Sequence, residues 1–82
     1  MDNAFMTYAN ALRLADQTIQ QLRRHRYTRC VWLVGSNITR TPNTEADVAY
    51  MEESGAELVG VFGPDIQRQD LAEAIMEAAS EA

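Results

Sequence analysis

The groups in this chain best placed for chemistry stand at the ends of two apolar runs. Gly35-Ser36-Asn37 follows Arg29-Cys30-Val31-Trp32-Leu33-Val34, and Gly63-Pro64-Asp65 follows Leu58-Val59-Gly60-Val61-Phe62. Between the runs, Thr44-Glu45-Ala46-Asp47 reads as a helix start. A carboxylate held there, Asp47 or Glu45, could serve as a nucleophile or bind a hydroxyl. The positive end of a helix dipole favours a carboxylate. Its free N–H groups would also suit a phosphate, which two neighbouring acids oppose. The same four residues form a capping-box pattern, with Asp in place of the usual Glu or Gln. In that case Asp47 only closes the helix start and Glu45 is a solvated first-turn acid. The spacing leaves both readings open.

Three helices and two strands must position these groups. Over residues 3–26, Phe5, Tyr8, Ala9, Leu12, Ala15, Ile19 and Leu22 recur at steps of three and four, the stripe of an amphipathic helix. Arg23, Arg24, His25 and Arg26 fall in its last turn, where cations complement the dipole. The run from Arg29 to Val34 lacks alternation and predicts a strand covered on both faces. Ser36 to Asn43, rich in Ser, Thr, Asn and Pro, predicts a loop. A short helix follows, capped by Thr44 or by Thr41 with Pro42 at its first position. Ala46, Val48 and Met51 form its apolar face and Gly55 ends it. Leu58 to Phe62 predicts the second strand. Asp65 is placed to cap a last helix with Ile66, Leu71, Ile75 and Ala78 inward, Ala72 and Ala79 beside them, and Glu73, Glu77 and Glu81 outward. The expected fold is α/β in the order α-β-α-β-α, one small domain over residues 1–82. Its two-stranded parallel sheet, a βαβ unit, is packed by three helices. The open strand edges would be completed by dimerisation. In such a sheet ligands sit beyond the carboxyl ends of the strands, which gathers Gly35, Ser36, Asn37, Thr44, Glu45 and Asp47 at one edge.

The stretch from Arg29 to Gly63 resembles part of a known family. Cys30 to Ser36, then Asn43-Thr44-Glu45-Ala46-Asp47-Val48-Ala49-Tyr50, then Gly55 and Leu58-Val59-Gly60-Val61, is similar to the second half of nucleoside 2-deoxyribosyltransferase-like proteins. It equally resembles the bacterial TIR-like domains of flavodoxin-like fold. The resemblance implies an activity on N-glycosidic bonds of nucleosides or nicotinamide dinucleotides. It puts the catalytic carboxylate on Asp47 and the aromatic residue on Tyr50, with Ser36 and Asn37 approaching the sugar. The implied mechanism is carboxylate attack on the anomeric carbon to form a covalent glycosyl intermediate. Those families open with a strand and a glycine-rich loop, whereas this chain opens with a helix, so either another chain completes the site or the unit persists here without catalysis.

Composition bounds the remaining choices. The chain has 82 residues, 46% hydrophobic and 23% charged, with a net charge of −5, a balance that argues against general nucleic-acid binding. Residues 1–41 carry a net +4 and residues 42–82 a net −9. The single cysteine, Cys30, excludes a disulfide framework and leaves no zinc ligand set. It reads as a small buried hydrophobe. The lone His25, inside an arginine cluster, reads as solvated. No stretch has the length of a membrane span and no signal peptide is visible, so a cytoplasmic location is expected. No metal or cofactor is implied. Three functions remain: a nucleoside- or nucleotide-binding domain that cleaves or transfers an N-glycosidic bond; a non-catalytic acidic protein that modulates a larger partner; and a structural dimerising module.

Overall fold

The structure, a computed structural model, describes residues 6–81. Six elements run in the order α1 (Tyr8–His25), β1 (Arg29–Val34), β2 (Asn37–Thr41), α2 (Glu45–Glu53), β3 (Glu57–Phe62) and α3 (Arg68–Glu81). The class is α/β with three helices, as the sequence predicts. The sheet differs. It has three strands in the order β2-β1-β3, and β1 runs antiparallel to both neighbours.

The difference arises at Gly35-Ser36. Gly35 has a φ of 64°, which glycine adopts without a steric cost, and the two residues make a tight hairpin turn. Val34 then pairs with Asn37 and Cys30 with Thr41. The segment expected to be a loop is therefore a strand. Ile38 and its two threonines are β-branched and fit a pleated edge. With the chain reversed, α2 connects β2 to β3 rather than β1 to β3, so β3 returns antiparallel to β1. No parallel pair forms.

The expectation of a strand buried on both faces holds for β1. Leu33 packs with Ala78 and Ala79 on the α1–α3 side, and Cys30 and Trp32 pack with Met51 of α2 on the other. Ala11, Leu14, Ala15 and Ile19 of α1 meet Leu71, Ala72 and Ile75 of α3 to form the main core. Burying a Leu or Ile there contributes about 1.5–3 kcal/mol. The α3 stripe of Leu71, Ala72, Ile75, Ala78 and Ala79 is the one predicted, except that Ile66 lies in the turn before the helix. The α1 stripe is rotated from the predicted one, since Ala11, Leu14 and Thr18 are buried while Tyr8 is exposed. Phe5 lies outside the described residues. The buried Thr18 hydroxyl donates to the Leu14 carbonyl at 2.8 Å, which satisfies it within its own helix.

Caps fix the helix ends. Thr7 and Thr44 are the N-caps of α1 and α2. At the end of α2, the Ala56 N–H donates to Met51 O and the Gly55 N–H to Glu52 O, each at 3.1 Å. With Gly55 at φ 85°, this is a Schellman motif. Asp65 does not cap α3. It sits in the turn closed by Ile66 N–H to Gly63 O, and Gln67 supplies the carbonyl that accepts from Leu71. Pro64 has the fixed φ that the second position of such a turn favours, and this draws Asp65 away from the helix start.

One irregularity sets the surface of β3. Val31 pairs with Gly60 but Trp32 pairs with Leu58, so β3 carries a bulge. The extra residue lets Val59 and Phe62, three apart, both pack on the helical core. Leu58 and Val61, also three apart, are each 46% exposed.

Candidate functional site

The residues singled out from the sequence lie in two separate places. Thr44 is extended (φ −119°, ψ 155°), and its hydroxyl accepts from the Asp47 N–H at 3.2 Å and donates to Asp47 Oδ2 at 2.6 Å. Asp47 is thus engaged in the cap of α2. Glu45 is exposed in the same turn, and Tyr50 is 69% exposed on α2. Thr44 follows Thr41, which pairs with Cys30 at the start of β1. Gly35, Ser36 and Asn37 form the turn at the other end, where Val34 pairs with Asn37. The two pairs are four residues apart along β1, about 13 Å at strand spacing. The fold brings Thr44, Glu45 and Asp47 together, and it does not bring Ser36 and Asn37 to them. The hairpin is the reason, because it carries the chain back down the sheet before α2 starts.

A shallow groove of about 440 Å³ lies beside the cap, lined by Asn43, Thr44, Glu45, Val48, Ala49 and Glu52. Its two acids disfavour an anionic ligand. Among the described residues no cluster of His, Cys, Asp and Glu could hold a metal ion. No helix among them is long and apolar enough to cross a membrane.

Cys30 is 1% exposed and its Sγ donates to Asn43 Oδ1 at 3.4 Å. Burial pushes its thiol above the ordinary value; a hydrogen bond with the Thr41 side chain opposes this, and the negative charge of Asp47 adds to it. A protonated, enclosed thiol is a poor nucleophile. Trp32 is fully buried with its indole N–H donating to Thr41 Oγ1 at 2.9 Å. At the end of α1, His25 stacks on Tyr27 with ring centroids 6.0 Å apart, and the Arg29 guanidinium sits 4.4 Å from the Tyr27 ring centre. Arg23 Nε donates to Pro64 O at 3.3 Å, tying α1 to the turn before α3. Arg23 and Arg29 are thus engaged within the molecule.

A second feature was not legible as a site from the sequence: the outer edge of β2. In a hairpin closed by a two-residue turn, paired residues alternate between hydrogen-bonded and non-hydrogen-bonded. Val34–Asn37, Trp32–Thr39 and Cys30–Thr41 are the bonded pairs. The N–H and C=O groups of Ile38 and Arg40 therefore point away from β1, at the edge of the sheet. Beside that edge runs an open groove of about 330 Å³ between α1 and β2, bordered by Leu14, Gln17, Gln21, Ile38 and Arg40. The alternation of Ile38 and Arg40 with threonines was the available signal, and the polar composition of Ser36–Asn43 obscured it. No protein-family model, curated protein or solved structure matches the chain.

Proposed function

We propose that this chain is a non-catalytic interaction module that binds a larger protein partner. The observation that supports it is the open β2 edge, with the backbone groups of Ile38 and Arg40 facing outward beside the α1–β2 groove. Unpaired strand edges are templates for another chain. The placement of Asp47 inside a helix cap, beyond the end of β2 opposite to Ser36 and Asn37, weighs against the glycosyl-transfer alternative. The test is site-specific photo-crosslinking in the native cell, with the crosslinker at surface positions around the molecule. A single partner crosslinked from one contiguous face is expected. Release of free base from deoxynucleosides or NAD, abolished by Asp47→Asn, would instead establish the enzyme reading.

A further inference from the structure

Resting on that reading, we infer that the partner supplies an extended segment, bearing an apolar and an acidic residue two apart, which adds as a fourth strand to the β2 edge. Three independent features meet there. The first is backbone. Ile38 and Arg40 each offer an outward N–H and C=O, the alternating set that an incoming strand needs. The second is shape. The side chains of Ile38 and Arg40 both lie on the α1 side of the sheet and both border the groove, along with Leu14, Gln17 and Gln21. Alternate side chains of an added strand would project into that groove, because successive side chains point to opposite faces. Leu14 and Ile38 receive an apolar side chain, and the glutamine amides bond its flanking polar groups.

The third feature is charge. Arg40 is the one charged residue among those that border the groove, and no acid borders it. Arg40 forms no salt bridge among the described residues. An acidic residue two positions from the apolar one falls on the same face and meets Arg40. A basic segment would find no counter-charge on this surface. The β3 edge offers no equivalent, since its bulge breaks the ladder and a bulge twists an edge away from pairing.

The test uses the full chain and a short fluorescent peptide of alternating Thr-Val-Thr-Glu, which puts Val and Glu on one face in either strand direction. Fluorescence polarisation should show saturable binding. Replacing the peptide Glu by Lys, or introducing Arg40→Glu, should weaken binding by roughly tenfold or more, and combining the two reversals should restore part of it. N-methylation of alternate peptide residues should abolish binding in one of the two phases and spare it in the other. Equal tolerance of both N-methylated peptides overturns strand addition. So does binding that shifts the amide resonances of Leu58 and Val61 rather than those of Ile38 and Arg40, an outcome that leaves the interaction reading intact. Concentration-dependent self-association through β2 with no peptide binding also overturns it, in favour of a second copy as the occupant. Absence of any binding by the peptide and its variants overturns the peptide proposal alone, because the interaction reading is judged by the crosslinking experiment.

Discussion

Trp32 donates its indole N–H to Thr41 Oγ1 at 2.9 Å, and this bond ties the central strand to the last residue of the edge strand. Trp32 pairs across the ladder with Thr39, so the bond runs diagonally, two residues further along β2. It sets the position of β2 relative to β1 on the face that α2 covers. The edge at Ile38 and Arg40 depends on that register.

Thr41→Val keeps the shape and leaves the buried indole N–H without its partner. We expect a loss of about 1–3 kcal/mol in chemical denaturation. Trp32→Phe in that background should cost less than it does in the original chain, since the orphaned donor is gone. A double-mutant cycle measures the coupling.

The α2 cap provides a second test. Thr44→Ala removes both hydrogen bonds to Asp47 and should cost about 1 kcal/mol. Asp47→Asn retains the backbone bond to Thr44 Oγ1 and should cost less. Denaturation of the two variants and their combination should show strong non-additivity, because both act through one hydroxyl.

Gly60 is the residue on which the β3 bulge depends. Its φ is 155°, and a Cβ there would stand 2.7 Å from Phe62 Cζ. Gly60→Ala should destabilise by about 1–3 kcal/mol. Adding Phe62→Ala relieves the clash but not the backbone strain, so thermal melting of the pair should reveal partial and not full compensation.

Cys30 predicts a pH dependence. Burial raises its thiol pKa in the folded chain, so the folded state holds that proton more tightly than the unfolded state does. Its contribution to stability is full below the ordinary thiol range, about 8.5, and is lost as pH rises through the folded value. Stability measured across alkaline pH should fall more steeply for the original chain than for Cys30→Ala. Equal slopes would show that the thiol is not the titrating group.

Much of this fold is legible in the residues, and the part that is not has one origin. The Leu71–Ile75–Ala78 stripe, the double burial of β1, the Thr44 cap and the Gly55 stop all follow from periodicity and local chemistry. The hairpin does not, because Gly35-Ser36 followed by Asn, Thr and Arg has the composition of a loop. The pairing of Ile38 with Leu33 across the turn makes it a strand. That one turn also decides the site. It moves Asp47 to the opposite end of the sheet from Ser36 and Asn37, and it creates an edge whose one local signal, the alternation of Ile38 and Arg40 with threonines, is obscured by the polar composition around it. The α1 stripe is legible at Ala15, Ile19 and Leu22 and hidden at Thr18. Thr18 counts as polar in any periodicity, yet it is buried once its hydroxyl bonds to its own helix.

Residue-resolved amide hydrogen exchange of β2, in the free chain and with its crosslinked partner or the Val–Glu peptide bound, tests the central claim most directly. The account predicts slow exchange at Thr39 and Thr41 in both states, with Ile38 and Arg40 exchanging fast in the free chain and slowly in the complex. Protection of Ile38 and Arg40 in the free chain, or fast exchange that binding leaves unchanged, would contradict it.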